Sequence, residues 1–130
     1  MIVVDTSALA KLLVAEEYSS DLRVALSSAS SAGQECVVST IATVELRRVA
    51  IRLEADPRRA EPILSAFRTV RLTEAVLQLA GRFPYRHLAT LDALHLATAL
   101  VVEAQTIMTY DDRLADAARS EGFEVLSPGR

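Results

Sequence analysis

Five short apolar runs, the first four each followed by a stretch with helical spacing, do most to limit what this chain can fold into. The runs are Ile2-Val3-Val4-Asp5, Cys36 to Ser39, Thr69 to Leu72, Thr106 to Tyr110 and Phe123 to Leu126. Ser7 to Ala15 places Leu9, Leu12 and Leu13 at helical spacing, with Thr6 or Ser7 as its expected N-cap. Ser19 to Ser30 puts Leu22 and Leu26 on one face and is broken by Gly33. Ile41 to Leu53 is a third helix, closed by Asp56-Pro57, and Pro57 opens another containing Ile63, Leu64 and Phe67. Helices over Thr73 to Arg82, Asp92 to Glu103 and Arg113 to Ser120 complete the series, with Pro84 to Thr90 as a loop and Gly122 as the last stop. Alternating strands and helices predict an α/β fold: one domain over residues 1–130, with a mainly parallel central sheet of four to five short strands flanked by helices.

A chain of 130 residues buries about two thirds of the surface its unfolded form exposes, so its core needs no covalent staple. Cys36 is the only cysteine, which excludes a disulfide framework and a cysteine-based zinc site. Within Cys36-Val37-Val38 it reads as a small buried hydrophobe rather than a nucleophile. No apolar run reaches the ~18 residues a membrane span needs, and no basic stretch precedes Ile2. The expectation is a cytoplasmic protein with no membrane partner. A net charge of −3 argues on its face against nucleic acid. However, all basic residues except Lys11 are Arg, the side chain best shaped for bidentate phosphate contacts. Genome-wide base composition produces the same bias.

In open α/β sheets ligands bind beyond the carboxyl ends of the strands, so the residues that follow each strand carry the information. Asp5 directly follows Ile2-Val3-Val4, and Asp111 directly follows Ile107-Met108-Thr109-Tyr110. In a parallel sheet both lie along the same edge, although either could instead cap the next helix. Glu45 sits one turn into the third helix, at the margin of an apolar stripe formed by Leu46, Val49, Ala50 and Leu53. Its ordinary alternative is a solvated pair with Arg48 at i+3. Asp92 opens a segment, Ala93 to Val102, that is apolar nearly all round except for His95 and Thr98, as befits a buried central helix. A carboxylate there is costly unless paired or metal-bound, although a helix dipole also favours an acid at this end. His95, one turn on, reads as a hydrogen-bonded core or supporting histidine rather than a ligand. His87 stands alone in a loop. Four carboxylates converging on one edge would repel one another unless a hard cation or protonation intervened. Ligation by oxygen alone selects Mg2+ or Mn2+, ions that activate water for phosphodiester hydrolysis.

The chain resembles PIN-domain ribonucleases, and among them the VapC toxins of bacterial toxin–antitoxin pairs. The resemblance rests on Val3-Val4-Asp5-Thr6-Ser7-Ala8-Leu9, on Ser39-Thr40 through Glu45-Leu46, on Leu91-Asp92-Ala93-Leu94-His95-Leu96-Ala97-Thr98-Ala99, and on Thr109-Tyr110-Asp111-Asp112-Arg113-Leu114. It implies that Asp5, Glu45, Asp92 and Asp111 form an acidic catalytic cluster binding Mg2+ or Mn2+. It also implies that Thr6 or Ser7 and Thr109 support the metal, its water or a phosphate. Asp112 could contribute or substitute, with the Thr-x-Asp spacing favouring Asp111. Toxin members of the family cleave specific structured RNAs and so stop translation. The resemblance further implies an RNA substrate, a homodimer and a cognate VapB-like antitoxin that plugs the acidic groove. Arg47, Arg48 and Arg52 beside Glu45, and Arg82 and Arg86 before Asp92, are candidates for holding flanking phosphates.

Other acid-bearing α/β proteins fit less well. A response-regulator receiver needs paired acids at its first strand end and a Lys after its last strand, whereas Thr6-Ser7 follows Asp5 and the one Lys is Lys11. A haloacid-dehalogenase-type phosphatase needs Asp-x-Asp, and position 7 is Ser. A metal-ion-dependent adhesion site needs Asp-x-Ser-x-Ser, and position 9 is Leu. No glycine-rich phosphate loop occurs. The remaining alternative is a non-catalytic PIN-like module that binds RNA or a partner.

Overall fold

The computed structural model describes residues 1–130. Its strands are β1 (Ile2–Val4), β2 (Cys36–Ser39), β3 (Arg68–Val70), β4 (Thr106–Met108) and β5 (Glu124–Leu126). Its helices are α1 (Thr6–Leu13), α2 (Ser19–Ser31), α3 (Ile41–Arg52), α4 (Ala60–Ser65), α5 (Glu74–Ala80), α6 (Thr90–Val101) and α7 (Asp112–Ser120). The strands form one sheet in the order β3-β2-β1-β4-β5, and every pairing is parallel. The expected fold class is therefore what the chain adopts.

Side chains alternate across a strand, and this alternation divides the core into two layers. Ile2, Val4, Val38 and Met108 point toward α1 to α4, where they meet Leu9, Leu13, Leu22 and Leu46. Val3, Val37 and Ile107 point the other way, toward Leu96 of α6 and Leu114 of α7. Val76 of α5 then packs on Leu94 and Ala97 of α6. From Ala93 to Ala99 every residue of α6 is buried, so its all-round apolarity reflects sheet on one side and helices on the others. Truncating Leu96 to Ala would cost about 2–5 kcal/mol. No helix is long and apolar enough to cross a membrane.

Several sequence-based boundaries shift, and capping explains those of the first and fourth strands. β1 stops at Val4 because the Asp5 side chain caps α1 by accepting from the Ala8 amide at 3.2 Å; neither Thr6 nor Ser7 is the cap. β4 stops at Met108, and Asp111 caps α7 through the Leu114 amide at 2.8 Å. α6 begins at Thr90, so Asp92 lies inside its first turn. The helix expected from Pro57 divides into a 3-10 turn, Pro57–Arg59, and the short α4, leaving Phe67 outside. β3 starts at Arg68 and excludes Leu72. Leu53 is 50% exposed rather than part of the α3 stripe, and Ala42 takes its place beside Leu46 and Ala50.

Residues 127–130 strap back over the β4–α7 junction. Ser127 Oγ donates to the Thr109 carbonyl at 2.5 Å, Tyr110 Oη donates to the Pro128 carbonyl at 2.8 Å, and Arg130 pairs with Asp112 at 2.6 Å. The strap depends on Gly129, whose φ of 87° suits glycine and whose added Cβ would lie 2.5 Å from Asp21 Oδ2 and 2.8 Å from Tyr18 Cδ1. The carboxylate tip of Asp21 can swing aside, but the Tyr18 ring is stacked on Tyr110 at 5.7 Å. Gly129→Ala is therefore expected to destabilise the protein by about 1–3 kcal/mol, read as a lower urea midpoint with unchanged slope.

Candidate active site

The carboxyl ends of β1 and β4 are neighbours, and the four predicted acids line one cleft of about 530 Å3 there. Asp5 comes from the end of β1, Glu45 from α3 after β2, Asp92 from the first turn of α6, and Asp111 from the start of α7 after β4. Four segments far apart in sequence thus converge because each begins or follows an element leaving the same sheet edge.

Asp5 is nearly fully buried, at 2% exposure, and is held rigidly. Its Oδ1 accepts from Ser7 Oγ at 2.7 Å as well as from the Ala8 amide, and its Oδ2 accepts from Thr109 Oγ1 at 2.8 Å. Burial pushes its pKa above the ordinary aspartate value despite His95 and these donors, which pull it down. Ser7 Oγ and Thr109 Oγ1 in turn accept from the Tyr110 and Asp111 amides, at 2.9 and 3.0 Å. The same two hydroxyls therefore orient Asp5 and fix the backbone leading to Asp111. Cap and site residue are compatible roles for Asp111: its Oδ1 takes the Leu114 amide, and no protein donor occupies its Oδ2.

The Arg48 pairing considered for Glu45 does not form. Glu45 Oε1 instead accepts from Thr6 Oγ1 at 2.9 Å and meets His95 Nε2 at 2.6 Å. Burial raises the Glu45 pKa, but the His95 hydrogen bond and charge, with Thr6 and Arg52, outweigh it and hold the carboxyl below its usual range. Burial lowers the His95 pKa, yet Glu45, Asp5 and Asp92 reverse the sign and leave it raised. His95 Nε2 thus fixes the Glu45 carboxylate, while its Nδ1 has no hydrogen-bond partner. Asp92 has no such support. Burial first, then the charges of Asp111 and Asp5, push its pKa up to about 6.

Of the other candidates, Thr6, Ser7, Arg48 and Arg52 line the cleft. Thr109 reaches it through Asp5. Asp112 turns away to Arg130, which leaves Asp111 as the acid facing the others. Arg47 pairs with Glu61 at 3.7 Å outside the cleft. Arg82 lines no pocket, and Arg86 lines a second one. Sequence reasoning missed the cleft's apolar rim: Val44 and Leu91 are 61% and 44% exposed beside Ile41. Aliphatic residues directly preceding the two acids within helices, Val44 before Glu45 and Leu91 before Asp92, were the available signal.

The PIN-domain family model matches residues 2–120, a span that contains all four acids. The chain belongs to the PIN-domain family. Ribonuclease VapC47 of Mycobacterium tuberculosis is 40% identical, over 99% of this chain and 98% of that protein. Among solved structures, this PIN domain is similar to M. tuberculosis VapC20, described as a sarcin-ricin loop cleaving toxin. The TM-score is 0.73 at 18% identity, covering 90% of this chain and 95% of the other. It is equally similar, at TM-score 0.73 and 22% identity, to a chain of a toxin–antitoxin complex from Klebsiella pneumoniae, covering 98% of each. The last two comparisons concern the fold.

Nowhere does this PIN domain bring three His, Cys, Asp or Glu side chains within the spacing that would already hold a metal ion. The donor chemistry nonetheless fits a hard divalent cation. All four acids offer oxygen, no thiol is nearby, and Asp92 and Asp111 retain carboxylate oxygens free of protein donors.

Proposed function

We propose that the chain is a Mg2+- or Mn2+-dependent endoribonuclease and the toxin of a VapB–VapC-type pair, acting in the cytoplasm to stop translation by cutting a structured RNA. The observation that carries this reading is the convergence of Asp5, Glu45, Asp92 and Asp111 in one cleft at the carboxyl edge of a parallel sheet. The 40% identity to a protein named as a ribonuclease supports it.

Asp5, Asp92, Asp111 and Glu45 would hold the metal, which when bound supplies an activated water and charge neutralisation at the phosphate. The protein's part is positioning. Ser7, Thr109 and the Ala8 amide fix Asp5, so it need not reorganise during reaction. Thr6 and His95 fix Glu45. Arg48 and Arg52, on the Glu45 helix, are placed to hold a neighbouring phosphate against the repulsion of the acids.

An antitoxin fits the same cleft. The acids would take an inserted basic side chain, and Val44 and Leu91 offer apolar surface for the segment that carries it. The homodimer implied by the family resemblance has exposed apolar side chains available outside the cleft, such as Leu53 and Leu77. Induced expression should slow growth and generate new RNA 5′ ends, and co-expression of the adjacent small reading frame should restore growth. Equal growth in both cultures, with soluble protein confirmed, would remove the toxin assignment. RNA binding without new ends would favour a non-catalytic RNA-binding module.

A further inference from the structure

The cations of the catalytic cleft all come from one direction. Arg48 and Arg52 belong to α3, which packs with α1 on one face of the sheet. On the opposite face of the sheet, a second pocket of about 540 Å3 opens between the loop preceding α6 and helix α7. Tyr85, Arg86, His87 and Leu88 line it from the loop, and Arg113 and Ala117 from the helix. Each wall adjoins the cleft in sequence. The loop runs on through Leu91 to Asp92, and Arg113 is the second residue after Asp111.

A single strand crossing four carboxylates needs cations beyond both ends of the cluster, because the acids repel every phosphate that no metal neutralises. We propose that this second pocket seats a nucleotide flanking the scissile bond, its phosphate on Arg86 and Arg113 and its base against Tyr85. The proposal rests on reading the cleft as an RNA site. The pocket is preformed: Phe83, Tyr85 and Leu88 pack against the core layer of Leu96 and Leu114. The Tyr85 hydroxyl donates to the Glu121 carboxylate, and Phe83 flanks its ring at 6.0 Å, so the aromatic face is fixed before anything binds. Asp116 is the one acid lining the pocket, and it shares its charge with Arg119 at 3.5 Å. Recognition here combines phosphate charge with stacking, which suits single-stranded RNA and is tolerant of base identity.

The test measures binding of labelled single-stranded RNA of increasing length, up to about ten nucleotides, to protein carrying Asp5→Asn, so that nothing is cut. Affinity should step upward once the RNA is long enough to reach the second pocket. Arg86→Ala plus Arg113→Ala should abolish that step, lower affinity for the long RNA by about tenfold or more, and reduce the salt slope by roughly one per lost phosphate contact. Tyr85→Leu should weaken the step while leaving the salt slope unchanged. Arg23→Ala, which removes an exposed arginine that lines neither pocket, should change nothing. Equal affinity of wild-type and double-variant pockets for the long RNA, or an equal loss on the shortest RNA, overturns the proposal. So does loss of antitoxin binding with RNA affinity intact, which would make the pocket a protein contact. Failure of the nuclease reading looks different: the long RNA binds with its length step, but the protein with intact Asp5 cuts no RNA in Mn2+.

Discussion

Asp5→Asn is expected to reduce RNA cleavage by at least ~100-fold, the scale on which transition-state-stabilising groups act, while the protein stays folded. The side chain keeps its shape, and its oxygen still accepts from the Ala8 amide, so α1 keeps its cap. The same oxygen keeps the Ser7 hydroxyl, and the new amide NH2 takes the place of Oδ2 and faces Thr109 Oγ1, which now donates to Asp5. That hydroxyl already accepts the Asp111 amide and has a second lone pair with which to accept another donor. A neutral amide also avoids the burial cost that raises the Asp5 pKa. What is lost is the fixed negative charge at the meeting point of β1 and β4, where a hard cation would bind. Wild-type rates from the variant, or cleavage by the native protein in excess chelator, would sink the assignment of Asp5.

Three of the four cleft acids stand out in the sequence because each follows from a local rule. Asp5 and Asp111 close apolar runs, and Asp92 opens a segment too apolar to tolerate a lone carboxylate. The rule that sites lie beyond strand ends in parallel sheets then joins them. Glu45 shows where local rules stop. Helical periodicity offers only neighbours three or four residues away, so Arg48 was the natural partner. The actual partners, Thr6 and His95, are 39 and 50 residues distant. The Asp111–Asp112 ambiguity has the same cause, because the group that draws Asp112 away is Arg130, 18 residues on. Strand ends were overextended at Asp5 and Tyr110 because apolar character continues past the point where a side-chain cap has already started the next helix. The second pocket was invisible for a topological reason. Arg86 and Arg113 become neighbours only when the loop before α6 folds onto α7.

Asp92 gives the sharpest distinction between a metal site and four unrelated acids. Its folded pKa of about 6 lies above the ordinary aspartate value of 3.8, so the native state holds its proton where the unfolded chain has lost it. Stability therefore falls as pH rises from about 4 through about 6, and the full cost of the charge is present above that window. Asp92→Asn removes this cost. Because Asp92 is only partly buried, the gain is discounted to about 1 kcal/mol, or a few degrees in melting temperature. The loss of a first-turn negative charge subtracts a few tenths of a kcal/mol. In chelator at pH 8 the variant should melt higher than the native protein, at pH 5 the difference should be about half as large, and it should nearly vanish only below about pH 4. Mn2+ at about 100 times its dissociation constant should stabilise the native protein by about 2.7 kcal/mol, because the ion binds only the folded state. In the variant most of that gain should disappear. If Asp92 were merely a helix-terminal acid, the ranking would reverse at pH 8, with Asn slightly the less stable, and neither protein would respond to Mn2+. A native protein blind to Mn2+ would remove the metal from the proposed chemistry and with it the reason for four acids to share one cleft.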